Sequence, residues 1–202
     1  MKNCPTARRY TAVALIFASA AALQACVDAL IVGGFATGVV VAADRRQAEV
    51  MFNDQRIEFT AGSRVGEALK GQGHVNVTSY NYTALLTGEV PTAQAKAEVE
   101  KIVSEIPQVK TVVNELQIAG ASSAASRSND AYITSKVKGN FIGNGKFRPT
   151  DIKVVTEAAV VFLLGLVTRE EADAATEVAR GTTGVLKVVR VFEYFVPPAA
   201  TK

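Results

Sequence analysis

The chain has 202 residues, 22 of them Lys or Arg against 19 Asp or Glu, and is 49% hydrophobic with one His, two Cys and no Trp. That length suits one large domain or two small ones with flanking segments. So few His and Cys exclude the usual zinc ligand sets and any multi-bridge disulfide framework.

The N-terminus reads as a processing signal. Lys2, Arg8 and Arg9 form a short positive region, and Tyr10 to Ala22 follows without a charge. This apolar run is 13 residues long, short of the roughly 20 needed to span a bilayer. Leu23-Gln24-Ala25-Cys26 closes it. This ending resembles the bacterial lipobox, which implies cleavage after residue 25, a diacylglycerol on the Cys26 thiol and an acyl chain such as palmitate on its new amine. No other cofactor is expected. Val27 stands where an Asp would resemble the inner-membrane retention signal, which favours the outer membrane. Residues 1–25 carry three of the 22 basic residues and none of the 19 acidic ones. The mature chain is therefore formally neutral, and no nucleic-acid partner is expected.

Residues 26–53 form the expected lipidated leader. Within it Ala29 to Ala43 is apolar but broken by Gly33, Gly34 and Gly38, and Asp44 to Asn53 turns polar. The apolar stretch is read either as a membrane-proximal leader or as a strip packed on the domains. Residues 119–129, Ala-Gly-Ala-Ser-Ser-Ala-Ala-Ser-Arg-Ser-Asn, have the composition of a linker. It separates two units, 54–118 and 130–196, with 197–202 left as a tail. The units repeat: Leu85-Leu86-Thr87-Gly88-Glu89-Val90 matches Phe162-Leu163-Leu164-Gly165-Leu166-Val167 at an offset of 77, and Val109 to Val113 matches Val185 to Val189 at 76. One supersecondary unit is used twice, with one residue lost on the way.

Each unit reads as helix, strand, strand, helix, strand. The first helix is expected near Asp54 to Lys70, with Ile57, Val65 and Leu69 on one side. In the second unit Ile133, Val137 and Phe141 make the same stripe. Val75 to Ser79 and Ile152 to Thr156 alternate as half-buried strands do. Thr83 to Thr87 and Val160 to Leu164 are more continuously apolar and belong at the centre of their sheets. Thr92 and Thr168 read as helix N-caps, Thr168 with Glu171 as a capping box. The Ala-rich helices after them run to about Glu105 and Arg180, and Lys110 to Ile118 and Leu186 to Phe195 close the units as strands. The expected fold class is α+β: in each unit a three-stranded mixed sheet packed against two helices.

The pattern of two apolar strands, Leu-x-Gly-x-Val in one of them, a helix and a closing Val-x-x-Val strand resembles the BON domain. Ile152-Lys153-Val154-Val155-Thr156-Glu157 and Val161 to Ala172 carry most of the match. Two such domains behind a lipobox resemble the dual-BON outer-membrane lipoproteins linked to cell division and envelope stress. The resemblance implies phospholipid-binding modules that support outer-membrane integrity, facing the periplasm. BON hairpins often turn through Asn-Gly, whereas these turn through Tyr80-Asn81-Tyr82 and Glu157-Ala158-Ala159.

A search for chemistry finds no catalytic constellation. His74 precedes a strand as a loop residue would. Glu98, Glu100 and Glu105 read as a solvated helix face, and Gly71-Gln72-Gly73 and Gly143-Asn144-Gly145 as helix C-terminal caps. No enzyme is expected. The asymmetry lies between Asp130 and Thr150, where Lys136, Lys138, Lys146 and Arg148 stand against Asp130 alone. Tyr132, Lys138 and Ile142 fall off the core stripe, and Phe147 sits between two cations. Two readings follow. Ile142 and Phe147 are exposed and enter the acyl boundary of anionic phospholipid in the inner leaflet of the outer membrane, with Tyr132, Lys136, Lys138, Lys146 and Arg148 beside them. Otherwise Phe147 folds under its loop, Ile142 packs on a neighbour and the lysines are ordinary solvation. The alternative function is a protein-interaction adaptor for an envelope assembly or division machine.

Overall fold

The computed structural model describes residues 44–196. The expected signal peptide, Cys26, the apolar strip at Ala29 to Ala43 and the tail 197–202 lie outside them. By its internal contacts the chain from Arg45 onward is one compact unit. That unit holds both copies of the repeat.

Copy one comprises α1 (Ala48–Leu69), β1 (His74–Tyr80), β2 (Thr83–Val90), α2 (Ala93–Ser104), β3 (Thr111–Asn114) and the short β4 (Gln117–Ile118). Copy two comprises α3 (Ala124–Ile142), a 3-10 turn (Pro149–Asp151), β5 (Ile152–Glu157), β6 (Val160–Val167), α4 (Arg169–Arg180) and β7 (Lys187–Tyr194). The outer strands flank a central one in each sheet, β1-β2-β3 with β4 also on β2, and β5-β6-β7. The hairpin pairs are antiparallel and the closing strands parallel. The fold is α+β as expected, with β2 and β6 central. His74 is the first residue of β1 and not a loop residue.

Both first helices begin six residues earlier than the apolar stripe indicates. Ser123 caps α3, its hydroxyl accepting from the Ser126 amide. The Ala- and Ser-rich stretch read as linker is therefore helical from Ala124 onward. Ala favours helix intrinsically, and the packed stripe beyond it lets the helix extend backward. The residue lost between the copies is at the turn into the second helix: Pro91 and Thr92 separate β2 from α2, whereas Thr168 alone separates β6 from α4. Thr168 and Glu171 form the expected capping box.

Each copy has its own core between helices and sheet. Ile57, Ala61 and Val65 of α1 meet Ala84, Leu86 and Val90 of β2 with Val99 and Val103 of α2. Ile133, Val137 and Phe141 of α3 meet Val161, Leu163 and Val167 of β6 with Ala172, Ala175 and Ala179 of α4. Successive strand residues point to opposite faces, so the residues between these are turned away from the helices. They make a third core: Tyr80 and Leu85 of copy one against Phe162 and Leu164 of copy two, edged by Val113, Val155, Val189 and Val191. The two sheets pack on each other. This is why β2 and β6 are apolar at consecutive positions, being covered on both faces.

The glycine of the Leu-x-Gly-x-Val pattern has a steric reason in both copies. Gly88 has φ 109°, and a Cβ there would lie 2.0 Å from the carbonyl oxygen of His74 on the neighbouring strand. A Cβ on Gly165 would lie 2.7 Å from the carbonyl oxygen of Asp151. No side chain fits at either place.

Candidate lipid-facing site

The hairpin turns position everything near them. Asn81 and Tyr82, and likewise Ala158 and Ala159, all have positive φ, the conformation of a type I′ turn, which Asn-Gly would adopt with less strain. A buried carboxylate from the first helix compensates in each copy. Asp54 Oδ2 and Oδ1 accept from the amides of Asn81 and Tyr82 at 2.8 and 2.9 Å. Asp130 Oδ2 and Oδ1 accept from those of Ala158 and Ala159 at 3.0 and 2.8 Å. Each first helix is thereby fixed to its hairpin.

On α3 the core stripe is as expected, with Ile133, Val137 and Phe141 buried. Tyr132 and Ile142 point outward, 63% and 77% exposed. Lys136 reaches across Tyr132, its ammonium 4.6 Å from the ring centre, and donates to the Thr183 carbonyl. Lys138 and Lys146 are exposed. Arg148 is not free to meet a ligand with its full charge, because its guanidinium is forked onto Asp151 at 2.9 and 3.1 Å. Phe147 corrects the exposed reading: it is 8% exposed and meets Phe141 edge-on, ring centres 4.9 Å apart. The loop through Gly145, at φ 67°, turns the ring back under α3, where burying an aromatic outweighs leaving it in water.

Beside this helix lies an open groove of about 660 Å³ that both copies build. Lys138, Phe141 and Ile142 of α3, Pro149 and Thr150 of the 3-10 turn and Ile152 and Lys153 of β5 form it from one side. Tyr80 and Arg46 close it from copy one. Arg46 pairs with Asp54 at 2.7 Å and stacks over the Tyr80 ring at 3.8 Å. Lys153 pairs with Glu58 at 2.5 Å, and the Tyr80 hydroxyl donates to the Asp151 carbonyl. Next to it Arg45 clamps the start of copy one to copy two: it is bidentate to Glu171 at 2.6 and 2.7 Å, 3.2 Å from Asp151, and donates to the Leu166 carbonyl. The Arg45 hydrogen bonds hold the Glu171 carboxyl at about pKa 2, against a usual 4.5. No local signal marks Arg45, Arg46, Tyr80 or Lys153 as site residues: Arg45-Arg46 read only as the polar end of the leader, Tyr80 as part of a turn and Lys153 as part of a strand, and the ion-pair partners of the two arginines stand 8 to 126 positions away.

On the opposite side of the sheet contact Asn76 donates to Glu157 at 2.9 Å. Burial pushes the Glu157 carboxyl above the ordinary range, and the Asn76 bond offsets part of that shift. Among the described residues no three His, Cys, Asp or Glu side chains are grouped to hold a metal ion. None of the helices described is long and apolar enough to cross a membrane.

The described residues thus form a duplicated α+β unit, with a cationic, apolar-tipped helix and an open groove beside it. The BON domain family model matches residues 53–120 and again 129–194, and the chain belongs to that family, with two copies in tandem. It is 36% identical over 184 residues to the outer membrane lipoprotein DolP of Haemophilus influenzae, covering 90% of this chain and 95% of that protein. It is 32% identical over 153 residues to the 21 kDa hemolysin of Actinobacillus pleuropneumoniae, covering 75% and 79%. Its place is the outer membrane, as a lipoprotein. Two solved structures of CdsD, a structural protein of the type III secretion system of Chlamydia trachomatis, align at TM-scores of 0.28 and 0.29 with 12% and 13% identity, covering 65% and 66% of this chain and 90% and 96% of theirs. Scores that low carry no comparison of fold.

Proposed function

We propose that this lipoprotein is a non-enzymatic phospholipid-binding module of the envelope. Residues 1–25 are removed, Cys26 is acylated and tethers the protein to the periplasmic face of the outer membrane, and the second BON domain engages anionic phospholipid there. The observation that carries the reading is Ile142: a large apolar side chain 77% exposed at the end of α3, with Lys138 and Lys146 exposed nearby. An isolated apolar tip in a cationic setting suits an acyl boundary under anionic head groups, where each nearby cation gains about 1 kcal/mol. Tyr132 and Lys136 extend the surface along the helix. Phe147 supports it from beneath, and Arg148 contributes through its bond to Asp151. The tether raises the local lipid concentration, so weak intrinsic affinity suffices. Supporting envelope integrity follows from holding the two-domain body against that leaflet.

The test is co-sedimentation of the mature chain from Val27 onward, which lacks only the acylated cysteine, with anionic and neutral vesicles. Selective, salt-sensitive binding to anionic vesicles is expected. Lys138→Glu with Ile142→Glu should weaken it at least tenfold, since reversing one cation alone is worth about 2 kcal/mol and tenfold is 1.4. Equal binding by that variant ends the reading.

A second reading, an adaptor for an envelope assembly or division machine, has its own observation. Phe52 and Phe59 of α1 are 67% and 81% exposed, seven residues apart and so on one face, with Arg56 exposed between them. Aromatics beside an Arg are the composition of protein interfaces. Phe59→Ala should leave vesicle binding unchanged and, if an adaptor is at work, reduce capture of an envelope protein.

A further inference from the structure

We infer that the exposed face of α1 is where a second copy of this chain joins the first, the two α1 helices lying antiparallel. This rests on the protein-interface reading of Phe52 and Phe59 and names what occupies that interface. Both rings are largely exposed, and helical spacing puts them on the side of α1 opposite the core residues Ile57, Ala61 and Val65. The helices α1 and α2 cover the outer face of one sheet and α3 and α4 that of the other, with the third core between the sheets. The face therefore points away from the side that displays α3, and a leaflet under α3 does not cover it. Gly62, Ser63 and Gly66 continue the exposed strip toward the C-terminal end of the helix. A Cβ added at Gly62 or Gly66 would meet no atom within 4 Å, so nothing inside the chain requires either glycine. Each loosens the helix relative to alanine and leaves a recess in its outer surface.

The strip is bulky in its N-terminal half and recessed in its C-terminal half, which makes it complementary to itself. A two-fold axis at Phe59 sets Phe52 of each copy on Gly66 of the other and Phe59 on Phe59. The same register brings Glu49, exposed in the first turn, within one residue of Lys70, exposed at the C-cap, and does so twice. Neither of these two has an ion-pair partner among the described residues. A parallel pair would instead set ring on ring, recess on recess, Glu49 on Glu49 and Lys70 on Lys70. One patch serves both copies, as a closed two-fold dimer requires. With 22 residues in α1, the helix pair meets over about 33 Å by 10 Å, well short of the roughly 800 Å² per partner in a standard interface. The dimer is therefore weak, with a Kd between about 10 µM and 1 mM.

The experiment is sedimentation equilibrium of the mature chain from Val27 across that concentration range. A mean mass that rises from one chain toward two is expected. Gly66→Leu fills the recess and removes a residue that loosens the helix. Its melting temperature should equal or exceed the parent's while association weakens at least tenfold, and Phe52→Ala should weaken association likewise. Glu49→Lys should weaken it severalfold, and Glu49→Lys with Lys70→Glu should restore it, which a merely adhesive apolar patch would not do. A parent still monomeric at about 1 mM, the weak limit of that range, overturns the second copy, as does a Gly66→Leu variant that associates like the parent. Failure of the double charge swap to restore association overturns the antiparallel arrangement. Capture of an envelope protein that Phe59→Ala abolishes, by a chain that stays monomeric, overturns the second copy and leaves the interface reading standing. No association, and capture indifferent to Phe59, overturns both.

Discussion

Two glutamates of the second domain respond to acid in opposite directions. Glu171 is depressed to about 2 by Arg45, so its contribution to stability is complete above the unfolded value near 4.5 and is lost as pH falls toward 2. Glu157 is raised, burial being the larger cause. Its ionisation opposes folding at neutral pH, and that penalty fades as pH falls through the raised value. Glu157→Gln keeps an acceptor for Asn76 and removes the buried charge, so thermal unfolding at pH 7 should find it as stable as the parent or more so. Arg45→Met should lower the melting temperature at pH 7 and flatten the loss of stability between pH 4.5 and 2. If acid unfolding of that variant keeps the parent's slope there, Glu171 is not the group responsible.

At the scale of elements, the duplicated helix-to-hairpin anchor sets the local geometry. Asp130→Ala strips two amides of their acceptor in a turn already held at positive φ, at a cost of about 2–4 kcal/mol. Asp130→Asn, which keeps one acceptor, should lose about half as much by chemical denaturation. Ala158→Gly relieves left-handed strain and should recover up to about 1 kcal/mol. The elements themselves were legible in the sequence because their signals are local: the 3.6 period in α3, the capping box at Thr168 and the doubly apolar runs of β2 and β6. Helix starts were not legible, because Ala-Ser stretches suit linker and helix equally and only the packed stripe beyond decides. The candidate site was half legible. Outward Tyr132, Lys138 and Ile142 follow from one helical wheel, whereas Phe147 was ambiguous because loop path, not spacing, buries it. The groove's other wall is a long-range juxtaposition that no single-chain periodicity encodes.

For the whole molecule, the sheet-to-sheet core decides whether there are two bodies or one. Phe162 is 4% exposed and belongs to that core, not to the core under its own helices. Phe162→Ala should cost about 3–5 kcal/mol, and Phe162→Glu should leave each domain's helix-to-sheet core intact while parting the pair. Small-angle scattering would then show a larger radius of gyration with unchanged helical circular dichroism. An unchanged radius would mean that the polar bridges, Lys153 to Glu58, Asn76 to Glu157 and Asn81 to Glu193, suffice to hold the domains together.

The facing sheets also constrain how such a protein could have arisen and can fail. A single ancestral copy would have displayed an apolar sheet face to water, a surface that invites a second identical chain. Two copies on one chain make that partner a covalent neighbour, so the encounter is independent of concentration. Each half still carries the apolar sheet face that the other covers. A truncation or proteolytic cut near residue 120 would return both pieces to the ancestral condition, in which each seeks another copy of the lost face and like pieces self-associate.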